Sequence, residues 1–204
     1  MIAVIDYGLG NIRAFANIFK NLGASHRIAH SRADLEGLTK IILPGVGAFD
    51  HAMERLDASG MRESLNDLVL RQRIPVLGIC VGMQMLAVSS EEGARPGLGW
   101  IDGVVKRLRP ASGSNKLILP HMGWNNVRSI GRSKLLQGLD ETSSFYFLHS
   151  YYFECRIRAN VIADAEYGGP FACAVNSENI YGVQFHPEKS HHNGIQLLKN
   201  FAEL

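Results

Sequence analysis

The stretch Pro75-Val76-Leu77-Gly78-Ile79-Cys80-Val81-Gly82-Met83-Gln84 decides the reading of this chain. It passes from an apolar, β-rich segment through a glycine-flanked turn into a helix start, with a cysteine at the apex. That is the pattern of a nucleophile elbow. Glycines on both sides let the backbone bend sharply, and the N–H after the nucleophile, here that of Val81, faces a developing oxyanion. A helix beginning just beyond favours the thiolate through its partial positive charge. Free cysteine is also among the most buried residue types, so taken alone the turn reads equally as a packed cysteine between a strand and a helix.

A second segment moves the balance. Ile180-Tyr181-Gly182-Val183-Gln184-Phe185 reads as a strand and runs directly into His186-Pro187-Glu188. A thiolate nucleophile needs a base within hydrogen-bond reach, and the base needs a third group to fix its tautomer. His186 and Glu188 supply both, and a spacing of two in an extended segment puts their side chains on one side. Alone, they would be an ordinary surface pair at a strand end; with Cys80 the order Cys…His-x-Glu reads as nucleophile, base and orienting carboxylate. Pro44-Gly45-Val46-Gly47 follows another apolar run. Beyond a simple strand-to-helix connection, its glycines free an N–H at Val46 or Gly47 to act as the second oxyanion donor that acyl chemistry requires.

The chain has 204 residues, which suits one domain over 1–204 with a substantial core. Lys and Arg total 21 against 19 Asp and Glu, without long basic runs, so charge points to neither a nucleic acid nor a membrane surface. The 3 cysteines, Cys80, Cys155 and Cys173, lack Cys-x-x-Cys spacing and argue against a disulfide framework or a zinc site and for a reducing compartment. Met1-Ile2-Ala3-Val4-Ile5 opens the sequence as a strand without a basic leader, and no run of about 20 apolar residues occurs. A cytoplasmic protein is expected.

The first half alternates short apolar runs with amphipathic segments, the pattern of a parallel sheet covered by helices. Strands are predicted near 2–5, 27–30, 40–43 and 75–79, and helices over Ile12–Leu22, Ala48–Leu56, Met61–Leu70 and Met83–Val88. Both Cys80 and Pro44–Gly47 then fall beyond the carboxyl ends of strands, where such sheets bind ligands. From about 100 to 185, β-like runs follow one another at Gly103–Leu108, Leu117–Leu119, Phe145–Leu148, Tyr151–Cys155, Val161–Ala165, Phe171–Val175 and Ile180–Phe185. They imply a mixed or antiparallel extension. Pro110–Asn115 reads as an exposed loop, and Gly194–Phe201 as a closing helix.

Asp6-Tyr7-Gly8-Leu9-Gly10-Asn11 invites a dinucleotide reading, but Arg13 stands at the third glycine position and no acidic residue ends a clear second strand. The turn is better read as a tight connection at the active-site edge with Asn11 capping the helix. Pro120-His121-Met122-Gly123-Trp124-Asn125 reads as a short irregular segment whose Trp and Met serve either as core filler or as interface anchors; the residues alone do not choose. His191-His192 is adjacent in sequence with no Cys or carboxylate at ligand spacing, so it reads as a solvated pair and no metal is expected.

Together, Gly-Ile-Cys-Val-Gly-Met-Gln around Cys80, Pro-Gly-Val-Gly at 44–47 and Phe185-His186-Pro187-Glu188 resemble the class I, triad-type glutamine amidotransferases. Asp6–Asn11, Glu91-Glu92-Gly93, Pro120–Asn125, His149-Ser150-Tyr151 and His186–Ser190 narrow the resemblance to the glutaminase subunits of imidazole glycerol phosphate synthase, across the whole chain. The resemblance implies an α/β, three-layer fold with a central, mostly parallel sheet flanked by helices. It implies glutamine as substrate, no cofactor, and a heterodimer with a (β/α)₈ cyclase subunit that receives ammonia through a channel for histidine biosynthesis. By position it makes Cys80, His186 and Glu188 catalytic and Val46, Gly47 and Val81 the oxyanion hole. Gly45, Gln84, Glu92, His149, Ser150 and Tyr151 would hold substrate, and Asn11, His121, Met122, Trp124 and Lys189 would face or lie near the partner. Arg13-Ala14-Phe15 and His191-His192 depart from the pattern. They leave open a paralogous branch that feeds a sugar amidotransferase of surface-polysaccharide synthesis. A stand-alone cysteine hydrolase and a degenerate interaction subunit are the competing classes.

Overall fold

The computed structural model describes residues 1–110 and 117–204; the expected Pro110–Asn115 loop, Pro110 apart, lies outside the described residues. Three apolar runs form strands buried along almost their whole length: β1 (Ile2–Ile5), β3 (Lys40–Gly45) and β4 (Val76–Cys80). Burial on both faces is the condition of a parallel sheet packed between helices. With β2 (His26–Ala29) at the edge and β13 (Ile180–Val183) beyond β4, they make a five-strand parallel block in the order β2-β1-β3-β4-β13. Antiparallel β12 (Pro170–Ser177), β11 (Val161–Glu166) and β8 (Arg128–Ser129) complete an eight-stranded sheet. A mostly parallel sheet with an antiparallel extension is thus the observed architecture, as the alternation of runs requires.

Two smaller sheets sit beside it. β6 (Gly103–Arg107) pairs with β10 (Tyr151–Cys155) and with β5 (Ser89–Ser90), while β7 (His121–Asn126) pairs antiparallel with β9 (Ser144–His149). The flanking helices are α1 (Ile12–Asn21), α2 (Phe49–Ala58), α3 (Arg62–Asn66), α4 (Val81–Gln84) and α5 (His191–Glu203). Ile12, Phe15 and Phe19 form the buried stripe of α1 at the three- and four-residue spacing of a helix face. Among the described residues no helix is long and apolar enough to cross a membrane.

Several local expectations are corrected. The segment 120–125 is not irregular: from His121 onward it forms β7, because β9 supplies a partner ladder. Leu117–Leu119 forms no strand. The helix expected over Met83–Val88 is a single turn, Val81–Gln84, after which the chain folds back to β5. Asn11 occupies the N-cap position of α1 but its side chain makes no capping bond. Its φ of −89° and ψ of 60° depart from the extended backbone an N-cap side chain uses to reach back.

Register sets the chemistry. Gly45 lies opposite Cys80 and Val183 opposite Ile79, so the ends of β3, β4 and β13 converge at one edge of the sheet. The convergence is tight enough to exclude side chains. A Cβ on Gly82 would overlap the Leu43 carbonyl, one on Gly45 would overlap the Gly82 nitrogen, and one on Gly78 would lie 2.6 Å from the Gly82 carbonyl oxygen. Replacing Gly82 by Ala should therefore force β3 and β4 apart and cost about 3 kcal/mol or more. Gly23→Ala, at a φ of +68° but in open space, should cost about 1–2 kcal/mol from backbone strain alone. Urea unfolding of both variants checks this; a loss at Gly82 no larger than that at Gly23 would mean that the overlap is relieved without parting β3 and β4.

Candidate active site

Cys80 terminates β4 with φ +55° and ψ −114°, a conformation that costs a residue with a Cβ about 1–3 kcal/mol. The ladder to β3 on one side and α4 on the other hold it there. The residue is 4% exposed, at the floor of a cavity of 340 Å³. The sulfur lies 3.9 Å from the Leu148 carbonyl oxygen and 3.8 Å from Nε2 of Gln184.

His186 reaches the same cavity from just beyond the end of β13. Its backbone N–H donates to the Tyr146 carbonyl at 2.9 Å, and its own carbonyl accepts from Ser190 Oγ at 2.6 Å. Ser190 in turn accepts from the Tyr146 N–H at 3.0 Å, which locks the segment to β9. His186 Nδ1 faces Glu188 Oε1 at 3.0 Å, with side chains only 4% and 2% exposed. Burial works against the charged imidazole, but the neighbouring Cys80 and the hydrogen-bonded Glu188, with the negative charge of both, outweigh it and raise the His186 pKa to about 10. The proton therefore rests on His186 when Cys80 is a thiolate.

The remaining expected residues divide. Val46, Gly47, Val81, Gln84, Glu92, His149, Ser150, Tyr151 and Lys189 all line the cavity. Gly45 stands behind it, packed on the elbow. Gln84 Nε2 donates to the Tyr151 carbonyl and to Gln184 Oε1, each at 3.1 Å, so only its Oε1 is free to meet a ligand. Glu92 Oε2 accepts from the Phe49 N–H at 2.9 Å, at the start of α2. Asn11, Met122, Trp124 and Lys189 are exposed; His121 is not. At 3% exposure it is buried, because the alternation of β7 that turns Met122 and Trp124 outward turns His121 into the protein. Its ring stacks between Phe147 and Tyr167, with centroids 4.8 and 4.1 Å away. Trp124 stacks on His191 at 5.2 Å, so that residue, expected to be simply solvated, extends an exposed aromatic face.

Three contributors escaped the sequence reading. Gln184 is fully buried beside Cys80; the signal was a polar residue inside an apolar strand run. Tyr7 donates its hydroxyl to the Pro44 carbonyl at 2.6 Å and so props the Pro44–Gly47 turn. Ser190 left no signal beyond its proximity to His186. Among the described residues no group of three or more His, Cys, Asp or Glu could hold a metal ion.

The glutamine amidotransferase class-I family model matches residues 3–204, which defines the class. A solved structure of a glutamine amidotransferase superposes with a TM-score of 0.74 at 20% identity, over 100% of this chain and 99% of that one, and shares the fold. The imidazole glycerol phosphate synthase subunit HisH of Leptospira interrogans is 55% identical over 204 residues, and that of Bdellovibrio bacteriovorus 57%, each covering 100% of both chains. The chain belongs to the HisH family of class-I glutamine amidotransferases, the glutaminase subunits of imidazole glycerol phosphate synthase in histidine biosynthesis.

Two buried histidines make stability depend on acid. Burial lowers the pKa of His121 to about 4 and, opposed only by the bond to the Tyr151 carbonyl, that of His149 to about 3, against 6.5 in an unfolded chain. Between those values the unfolded chain binds more protons, so this contribution is complete above 6.5 and is lost as pH falls toward 3. The urea midpoint should already fall between about pH 6.5 and 5, before most carboxylates titrate. A midpoint constant down to about pH 4.5 would contradict two neutral buried imidazoles.

Proposed function

We propose that this chain is a one-domain glutaminase, residues 1–204, in which Cys80 is the nucleophile, His186 the proton shuttle and Glu188 the group that orients it. The observation that carries the reading is the convergence of a strained, elbow-mounted Cys80 with the buried His186–Glu188 pair, 3.0 Å apart, at one cavity. The Cys80 thiolate attacks the side-chain amide carbon of glutamine, and the negative charge moves to the carbonyl oxygen. The N–H of Val81 and a second donor at Val46 or Gly47 receive that oxyanion. Its collapse breaks the C–N bond while His186 gives its proton to the leaving nitrogen, releasing ammonia and a thioester. His186 then takes a proton from water, the hydroxide attacks the thioester, and glutamate leaves with the thiolate restored. Gln84 Oε1, Glu92 and the backbone of His149-Ser150-Tyr151 are the polar groups available to the amino acid's head.

Within that setting, ammonia is delivered to a (β/α)₈ cyclase subunit that forms imidazole glycerol phosphate and an aminoimidazole carboxamide nucleotide. Membership of a biosynthetic enzyme family supports a cytoplasmic location. At the departure Arg13-Ala14-Phe15, Phe15 packs in the core and Arg13 is exposed on α1; identities of 55% and 57% to HisH subunits favour the histidine pathway over the polysaccharide branch. Met122 at 66% and Trp124 at 50% exposure, on the strand paired with β9 and near Lys189 over the Tyr146 ring, offer the cyclase an anchor face.

Cys80→Ala should abolish glutamine-dependent synthesis by the complex while synthesis from added ammonium salts persists; surviving glutamine hydrolysis removes Cys80 from its role. Glu188→Gln should be milder than His186→Asn, since it disturbs orientation without removing the shuttle. The free chain should hydrolyse glutamine slowly and accelerate on adding the cyclase with its acceptor, by roughly 10²–10³ if one oxyanion donor is aligned only on docking. A free chain at full speed would favour a stand-alone hydrolase.

Trp124→Ala should leave the free chain's glutaminase rate intact and raise the Kd for the cyclase at least tenfold, the consequence of losing an anchor of about 2 kcal/mol. Titration with the cyclase, following glutamate release and acceptor turnover, reads both. Unchanged affinity with a lowered Tm would make Trp124 a packing residue.

A further inference from the structure

Both histidines at the aromatic wall behind the cavity have fixed tautomers. The Tyr151 carbonyl can only accept, so the 2.8 Å contact from His149 Nδ1 puts a proton on that nitrogen. His149 Nε2 is then an acceptor, and the 3.0 Å contact from His121 Nδ1 must be the donor to it. His121 Nε2 is left to accept from Asn125 Nδ2 at 3.3 Å, an amide whose direction is set by its 2.9 Å bond to the Glu166 carbonyl. A second proton on either ring would set an N–H against another donor.

The chain of bonds does not stop there. The Tyr151 carbonyl also accepts from Gln84 Nε2, the same Nε2 donates to Gln184 Oε1, and Gln184 Nε2 faces Cys80 Sγ. The path from β7 to the nucleophile is therefore continuous, and the side chains of His121, His149, Gln84 and Gln184 along it are all buried. Two histidines in hydrogen-bond contact are a costly way to fill a core that Phe147 and Phe171 already line.

We propose that His121 and His149 are positioning residues for glutamine hydrolysis: as a neutral, singly oriented pair they fix the Tyr151 carbonyl and with it Gln84, which lines the Cys80 cavity, and Gln184 behind it against the Cys80 sulfur. The inference rests on the glutaminase reading above. It assigns His121 an inward role on the strand whose other face carries Met122 and Trp124, and it explains why Gln84 presents only an oxygen to the cavity. The ionisable group facing the pair from outside is His186, which acts on His149; the other walls are Phe147, Phe171 and the Tyr167 ring.

The test compares His121→Phe, which fills the ring's place but cannot donate, with His121→Gln, which keeps a donor, using glutamine hydrolysis by the full chain alone and with the cyclase. His121→Phe should raise KM for glutamine about tenfold, the loss of a buried hydrogen bond, with kcat changed less than about threefold. It should also move the acid limb of kcat/KM to higher pH, because His149 Nε2 becomes free to protonate. His121→Gln should recover most of the KM and restore the limb. Cys80→Ala run in the same assay separates the two ideas: turnover by that variant would overturn the glutaminase reading itself. With Cys80→Ala inactive, an unchanged KM and pH profile in His121→Phe overturns the positioning role. Equal losses in both His121 variants that track a lower Tm overturn it too, leaving the pair as core packing.

Discussion

The structure depends on one close approach: the backbone of Gly82, just past the elbow, against the carbonyl of Leu43 in the neighbouring parallel strand. That contact is possible only without a Cβ, and it brings the Pro44–Gly47 turn and the elbow to the same edge of the sheet. Cys80 is forced to a positive φ by the same bend, so its sulfur is delivered to the cavity rather than to the core. The strain is local and is borne by a sheet buried on both faces, in which the register of β3 and β4 is held by that close packing. Tyr7 finishes the arrangement by holding the Pro44 carbonyl, and its burial and the charge of Cys80 keep the hydroxyl protonated as a donor.

From that edge the electrostatics follow. A buried His186 would ordinarily be neutral; two negative partners reverse the preference and hold its proton. His149, at the end of β9, has no such partner, and its burial, with smaller contributions from the neighbouring His121 and His186, keeps it neutral. Two histidines lining one cavity thus differ in protonation because one faces the Glu188 carboxylate and Cys80 and the other, itself buried, a peptide carbonyl. This division lets a cationic imidazole sit beside a neutral, hydrogen-bonded one.

The fold class, the meeting of Cys80 and His186 at one cavity and the pairing of His186 with Glu188 were legible in the sequence because each rests on a local pattern: apolar runs of strand length, glycines at fixed offsets, and a His-Pro-Glu step. What could not be read was the outcome of long-range pairing. His121–Asn126 follows a proline, holds a glycine near its middle and has little β propensity, yet it is a strand because β9 offers it a full ladder. The helix expected after the elbow lost all but one turn because the chain must fold back to pair β5 with β6. Gln184 and Tyr7 act through partners many residues away, and no spacing rule reports such contacts.

The pairing of β7 with β9 also decides what each of its residues can be. Side chains in a strand alternate with period two, so a segment that turns Met122 and Trp124 to solvent must turn His121 inward. An apolar residue there would satisfy burial, but the inward neighbour is His149, whose Nε2 needs a donor once its Nδ1 is committed to Tyr151. A buried acceptor left without one costs about 1–3 kcal/mol, comparable with the whole contribution of a good interface anchor. The strand is therefore constrained twice over, by the surface it presents and by the proton it must supply behind that surface, and a one-residue change of register would violate both at once.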